Sequence, residues 1–223
     1  MSKLPTLRAA FAALLISFAG QTAQAEDGTN LFNGFYAGLA GGYVAVDENW
    51  GTVGTGGPPS ANLSLDGGAG GLTVGYNWNT NGFLLGLEAD GTLTAANDSN
   101  VCSAMAAICD IDVDGIATFR TRAGLIFGEQ NNLSVYATGG AAVVWYGATN
   151  PGIGGLSAEE TDVTYAVGGG LEAFLFDTHW VSTKLEYLFV GLDRTYVYTI
   201  GAGSGRLNFN GIHMVKWGWN FHF

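Results

Sequence analysis

The last eleven residues of the chain, 213–223, constrain its fold most strongly. From Val215 onward a bulky apolar residue occupies every second position, and Lys, Gly, Asn and His lie between them. The apolar positions are Val215, Trp217, Trp219, Phe221 and Phe223. A period of two predicts a strand with one apolar and one polar face. Because a soluble sheet rarely ends with two Trp and two Phe on one face, we expect lipid to surround that face.

The other end of the chain has the features of an exported protein. Residues 1–25 begin with two basic residues, continue with an apolar run and end with the small-residue sequence Ala-Gln-Ala, which is typical of a secretory signal peptide. We expect cleavage between Ala25 and Glu26, leaving residues 26–223 as one domain. The formal charge of −11 becomes more negative when the two basic residues are lost, so nucleic acid is not expected as a partner.

Composition narrows the class further. Hydrophobic residues make up 48% of the chain and charged residues 12%, yet after the leader no run approaches the roughly 18 to 20 apolar residues of a membrane helix. The 36 Gly and 4 Pro residues suit a small barrel, in which inward positions must be small or polar and strands must bend.

Strand-like runs recur along the chain, and short and long connections alternate between them. The eight predicted strands are 34–47, 68–80, 83–95, 112–127, 133–149, 162–176, 180–197 and 207–223. Short periplasmic turns alternating with long outer loops are typical of an even-stranded outer-membrane barrel. The sequence therefore predicts an all-β protein, an eight-stranded antiparallel transmembrane β-barrel in the outer membrane of a Gram-negative bacterium, with both termini periplasmic.

Two turns predict the strand register. Asn-Gly at 81–82 indicates a two-residue hairpin turn, which sets Trp78 opposite Leu85. A three-residue turn between the sixth and seventh strands sets Glu172 opposite Lys184. Both registers keep the polar and apolar faces separate, which a slip of one residue would not.

Alternation places most of the mature chain's basic residues on the inner face, together with several acidic ones. The predicted lumen charges are Glu88, Asp90, Asp114, Arg120, Arg122, Glu172, Lys184, Glu186 and Lys216. An Arg or Lys facing lipid would cost about 2 to 4 kcal/mol at the midplane, which favours the inward assignment. Eight strands leave an interior that side chains can fill, so we expect a salt-bridged plug. The alternative is a charged constriction in an open pore.

We also expect particular neighbours inside the barrel. Judged by distance from the periplasmic ends of the strands, Arg122 and Arg120 should lie level with Glu88 and Asp90, and Lys216 should lie near Glu186.

The other acidic residues gather at the outer strand ends and in the long loops. Such a rim attracts divalent cations or favours cation passage, unless its carboxylates are simply solvated. Cys102 and Cys109 lie in the second long loop, 97–110, and an oxidising periplasm predicts a disulfide between them.

Catalytic, metal and cofactor sites are not expected. His179 and His222 are predicted at the periplasmic end, and His213 faces lipid. The glycine clusters lack the lysine and helix start of a phosphate loop, and no His lies near the cysteines to complete a zinc site.

The first predicted strand carries a family resemblance. Residues 33–43 resemble the opening motif of the porin-like outer-membrane β-barrel family abundant in alphaproteobacteria. The matching residues are Gly34, Tyr36, Gly38, Gly42 and Tyr43, and later ones are Leu125, Tyr136, Gly139, Gly140, Glu186 and Tyr187. The C-terminal face also resembles the assembly signal of such barrels, carried here by Trp217, Trp219, Phe221 and Phe223. The Cys102 and Cys109 pair is not part of the family pattern.

The resemblance implies a surface-exposed structural protein, adhesin or antigen. Its expected surroundings and partners are outer-membrane lipid, lipopolysaccharide, the barrel-assembly machinery and a host or environmental ligand at the outer loops. The alternatives are a narrow cation-preferring porin, then an outer-membrane hydrolase, and last a soluble lipid-binding barrel, whose outer face should be polar.

Deleting Phe223 tests the assembly signal. Because the insertion machinery is expected to read the last aromatic face, the truncated protein should stay in the periplasm, degraded or aggregated. Cell fractionation and heat-modifiable mobility on gels measure this. An unchanged outer-membrane yield would contradict the prediction.

Overall fold

The chain folds into a closed antiparallel barrel of eight strands joined in sequence order. The computed structural model describes residues 31–53, 66–102, 107–128, 130–150, 156–175, 179–200 and 203–223. The strands are β1 (Gly34–Val53), β2 (Asp66–Thr80), β3 (Phe83–Cys102), β4 (Ala107–Phe127), β5 (Leu133–Asn150), β6 (Leu156–Phe174), β7 (Val181–Ile200) and β8 (Gly203–His222). Pairing of β1 with β8 closes the barrel. No helix among the described residues is long and apolar enough to cross a membrane.

Both predicted registers are confirmed. Trp78 pairs with Leu85 across β2 and β3, and Glu172 pairs with Lys184 across β6 and β7. Between β2 and β3, Asn81 and Gly82 both have positive φ, at 52° and 83°, as a type I′ hairpin turn requires.

The strands run further than the sequence pattern indicated. The first and last described residues, Leu31 and Phe223, lie at one end of the barrel, called here the terminal end. At the opposite, far end β1 continues to Val53, β3 continues to Cys102, and β8 begins at Gly203. The described parts of the predicted long outer loops are therefore strand, and acidic positions such as Asp98 and Glu159 belong to β3 and β6. Outward alternation of apolar residues marks only the lipid-facing part of a strand, whereas backbone pairing continues into water.

The outward face suits a bilayer. Large apolar side chains point outward from every strand and remain exposed. Aromatic ones gather at the terminal end, at Trp78, Phe83, Trp180, Trp219 and Phe223. Such a girdle is characteristic of the membrane interface in transmembrane barrels.

The lumen is filled by three layers of side chains. At the terminal end Phe32, Leu84, Ile126 and Phe174 form an apolar layer. Buried charged residues occupy the middle. Toward the far end lies a second apolar group, the far apolar layer, made of Val44, Val46, Ala96, Val113, Ile116, Ala142, Val144, Ala166, Leu188, Val190, Leu192, Ile212 and Met214.

One predicted lumen charge is wrong. Asp114 lies at a β-bulge between Val113 and Gly115, where the register of β4 against β5 shifts, and its side chain is exposed. Because a bulge adds one residue to one strand, it reverses the inward and outward parity beyond it. Strict alternation along β4 therefore assigned Asp114 to the wrong face.

Glycines on the inner wall make room for tyrosine rings. A Cβ added at Gly75 would overlap the Tyr36 ring and lie 2.7 Å from the carbonyl oxygen of Leu87. We therefore expect Gly75→Ala to lower the free energy of unfolding by about 1 to 3 kcal/mol. Gly68→Ala in the same strand is the matched control, since its Cβ would meet nothing within 4 Å. Urea unfolding in lipid vesicles compares the two, and equal losses would contradict the packing account.

Candidate functional site: the charged lumen

Arg120 is at the centre of the charged layer. Its Nη2 lies 2.5 Å from Glu88 Oε1, 2.6 Å from Asp90 Oδ2 and 3.1 Å from Glu186 Oε1. The Nε of Arg120 donates to Thr118 Oγ1 at 2.9 Å, and that hydroxyl donates to Asp90 at 2.6 Å. One guanidinium thus joins three carboxylates from two strands, β3 and β7.

Arg122 is held between two tyrosine rings. Its Cζ lies 3.9 Å from the centroid of Tyr136 and 5.5 Å from that of Tyr36. Its Nη2 lies 2.6 Å from Glu172 Oε2, and its Nη1 donates to the Tyr36 hydroxyl at 2.9 Å. A desolvated guanidinium over an aromatic ring adds cation–π attraction to its ion pair.

The hydroxyls of these two tyrosines connect Arg122 and its flanking rings to the rest of the charged layer. Tyr36 donates to Glu88 at 2.7 Å, and Tyr136 donates to Glu186 at 3.0 Å. The two lysines complete the layer: Lys184 Nζ lies 2.9 Å from Glu88. Lys216 Nζ lies 3.2 Å from both Asp90 and Glu186.

Glu172 connects the charged layer to the terminal end. Its Oε1 accepts hydrogen bonds from Ser182 and Asn220, both at 2.6 Å. His222 Nε2 lies 3.4 Å from the same oxygen and 2.9 Å from Ser182 Oγ. The imidazole of His222 packs against Phe174 at 4.7 Å between ring centroids, where the terminal apolar layer begins.

The charges of this middle layer balance. Arg120, Arg122, Lys184 and Lys216 are matched by four carboxylates, Glu88, Asp90, Glu172 and Glu186, and all eight side chains are buried. In a low-dielectric interior such pairs are tolerated only when their remaining hydrogen-bonding groups are also satisfied. The hydroxyls and amide described above supply most of those partners.

The structure brings eight of the nine predicted lumen charges together, Asp114 being the exception. The predicted neighbours of the two arginines on β3 are wrong by two residues, which is one inward-facing position. Arg120 pairs with Glu88 and not with Asp90, and Arg122 pairs with Gly86 and not with Glu88. Counting from the periplasmic strand ends missed this offset between β3 and β4. Lys216 does pair with Glu186 across β7 and β8.

Sequence reasoning missed the neutral part of this layer. Its members are Tyr36, Thr118, Tyr136, Ser182, Asn220 and His222. Strand parity was the available signal for Thr118, Ser182, Asn220 and His222, because each lies an even number of residues from a predicted lumen charge on the same strand. Tyr36 and Tyr136 lie on β1 and β5, where no lumen charge was predicted.

The remaining predicted site residues lie elsewhere. Trp217, Trp219 and Phe223 face outward and are exposed, and Phe221 packs beside Trp180 at 6.0 Å between ring centroids. The expected cleavage position between Ala25 and Glu26 lies outside the described residues.

The two cysteines lie on neighbouring strands. In the backbone register Cys102 pairs with Ala107, and Cys109 pairs with Asn100. The two cysteines are therefore diagonal neighbours across β3 and β4. Their side chains lie outside the described part of the chain, so the disulfide stays a prediction.

Ser182, His222 and Glu172 include the residue types of a hydrolytic triad but not its geometry. The carboxylate and the hydroxyl both approach Nε2 of the imidazole, whereas a triad needs the carboxylate on the other ring nitrogen. All three side chains are also buried. Among the described residues no group of His, Cys, Asp or Glu is arranged to hold a metal ion.

A closed antiparallel barrel with an apolar exterior and a charge-paired interior defines an integral β-barrel membrane protein. The sequence model of the family described as "Outer membrane protein beta-barrel domain" matches residues 10–221. The chain belongs to this family, and its location is the bacterial outer membrane.

The chain is similar to several solved structures. The outer membrane protein AlkL in DMPC bilayers is 13% identical, with 92% of this chain and 95% of that chain covered and a TM-score of 0.50. Neisserial surface protein A is 14% identical, with 86% and 98% covered and a TM-score of 0.48. Ail of Yersinia pestis, in complex with a heparin analogue, is 17% identical, with 84% and 99% covered and a TM-score of 0.43. A comparison with curated proteins gives no match.

Lys216 provides a test of the charge layer. Replacing it with Met leaves Asp90 and Glu186 with one cation fewer, and breaking a buried pair costs about 3 to 5 kcal/mol. Adding Glu186→Gln should recover part of that loss, because it removes one uncompensated charge. Urea unfolding of the two single variants and the double variant gives the coupling energy. A double variant no more stable than the sum of the singles would contradict the pairing.

Proposed function

We propose that this protein is a structural and surface-interaction barrel of the outer membrane, not an enzyme, and that its lumen is closed to ions. In this proposal the terminal end faces the periplasm and the far end faces outward. The single observation that carries it is the sealed lumen, in which a neutral charge layer lies between two apolar layers.

Axial passage of an ion through this lumen is unfavourable at three levels. An ion entering from either end meets an apolar layer whose side chains cannot replace its hydration shell. In the middle it meets carboxylates already bound to Arg120, Arg122, Lys184 and Lys216. A narrow cation-preferring porin, the alternative function, needs all three layers to rearrange.

The length of the strands supports a surface role. About 9 to 11 residues per strand span a bilayer, whereas β4 has 21 residues and β1, β3, β7 and β8 have 20 each. Twenty residues at about 3.3 Å rise and 40° tilt reach about 50 Å, roughly twice the apolar band of about 25 Å. The sheet therefore extends well beyond the bilayer at the far end.

The extension is the surface we assign to contacts outside the cell. We infer that its acidic positions make that surface anionic and antigenic, and that a disulfide between Cys102 and Cys109 restrains the β3–β4 tip. The outward face contacts lipid and lipopolysaccharide, and the C-terminal strand is read by the barrel-assembly machinery after the signal peptide is removed. We also assign the chain to the porin-like branch abundant in alphaproteobacteria, from its β1 motif.

Planar-bilayer recording tests the closed lumen. Refolded mature protein should give no steady conductance above that of the bare bilayer, because an ion would have to cross both apolar layers without its hydration shell. Heat-modifiable mobility of the same sample verifies that it is folded. Steady steps with a cation-selective reversal potential would overturn the proposal in favour of the porin.

A further inference from the structure

The segment that precedes β1 closes the terminal end of the lumen from inside. Residues 31–33 lie outside the sheet, because β1 and its pairing begin at Gly34. Phe32 is nevertheless fully buried. Its ring centroid lies 4.8 Å from that of Phe174 and 6.2 Å from that of His222. A segment without strand pairing thus supplies a buried side chain to the terminal apolar layer.

Gly34 turns this segment into the barrel. Its φ of 115° lies in the left-handed region, where a side chain would be strained. A Cβ at Gly34 would also lie 2.8 Å from the carbonyl oxygen of Phe223. One residue further on, the carbonyl oxygen of Phe35 accepts a hydrogen bond from the backbone N of Phe223 at 2.9 Å. The turn therefore lies where the first and last strands of the barrel meet.

Side-chain packing, and little else, holds residues 31–33 against the barrel. Asn33 Oδ1 accepts a hydrogen bond from the backbone N of Asn79 at 3.2 Å. The other contacts of the segment with described residues are made by Phe32 and by Leu31, which packs against the same apolar layer. Displacing the segment would break no rung of the two β1 ladders. Local opening of such a segment costs less free energy than unfolding of the sheet.

A group of buried polar side chains lies behind Phe32. It consists of Glu172, Ser182, Asn220 and His222, joined by the hydrogen bonds described above, and is called here the terminal polar cluster. The Nδ1 of His222 has no hydrogen-bond partner among the described residues. An unsatisfied buried group costs free energy that hydration would recover, so hydration of the cluster opposes the packing of Phe32 over it.

We propose that residues 31–33 form a strap that opens and closes the terminal mouth of the lumen independently of the sheet, and that its opening admits water and small uncharged solutes to the terminal polar cluster. Gly34 is the hinge of the strap, and the Phe32 ring is its seal. The charged layer and the far apolar layer stay in place when the strap opens, so the lumen opens at one end only. Because the seal packs on His222 of β8, the strap closes only after β8 has paired with β1.

The histidines of the chain provide the measurement. Diethyl pyrocarbonate is a small uncharged reagent that modifies neutral imidazole, and mass spectrometry gives its rate at each histidine of the refolded protein in lipid vesicles. His222 is buried, whereas His179 is exposed at the same end of the barrel and is the internal reference. Each rate is divided by its value in the urea-unfolded protein. In the native sequence His222 should react much more slowly than His179, and equal normalised rates would overturn the proposal.

Removing the seal should expose His222 to the reagent. Phe32→Ala should raise the normalised rate at His222 about tenfold or more, because burial of the ring is what holds the strap closed, and it should leave His179 unchanged. The matched control is Leu84→Ala, which removes a buried side chain of the same apolar layer from β3, outside the strap. A comparable rise in both variants would overturn the proposal, since loss of packing alone would then account for it.

The hinge gives a second variant, which covers the case in which Phe32→Ala does not fold. Gly34→Ala keeps Phe32 and strains the turn into the barrel, so it should also raise the rate at His222. Its matched control is Gly82→Ala, because Gly82 has a positive φ of 83° in the β2–β3 turn at the same end but lies outside the strap. No rise in Gly34→Ala, or an equal rise in Gly82→Ala, would count against the strap. Heat-modifiable mobility verifies that each variant is folded.

Planar-bilayer recording of Phe32→Ala tests whether the lumen opens at one end only. The variant should remain non-conducting while His222 becomes reactive, because the charged layer and the far apolar layer still block an ion. Conductance in the variant but not in the native protein would overturn the one-ended strap. Conductance in the native protein would instead overturn the closed lumen of the proposed function, and the histidine rates decide the strap in either case.

Discussion

The pairing of four buried cations with four buried carboxylates is the interaction on which the rest of this barrel depends. Strand alternation offers a charged side chain only two surroundings, the lipid or the lumen, and lipid is the costlier of the two for Arg and Lys. Once inside, each charge needs a partner, since a single uncompensated charge costs several kcal/mol. The layer therefore has to be neutral as a whole: its four carboxylates balance its four cations, and Arg120 alone contacts three of those carboxylates.

Small residues on the wall make that pairing geometrically feasible. The Tyr136 ring lies across Gly170, where an added Cβ would come within 2.6 Å of its hydroxyl oxygen, and Tyr36 lies across Gly75 in the same way. These two rings enclose Arg122 and connect its pairs to Glu88 and Glu186. The high glycine content thus serves the polar interior as well as the curvature of the sheet.

Strand periodicity and turn chemistry predicted the eight strands, two registers and most of the inward charges, because the lipid-facing part of each strand obeys a strict period of two. Three features escaped for physical reasons. The bulge at Asp114 reverses parity without a local sequence signal. The strand ends lie in water, where apolar alternation stops but pairing does not. The terminal layer depends on Phe32, which precedes β1 and belongs to no periodic pattern.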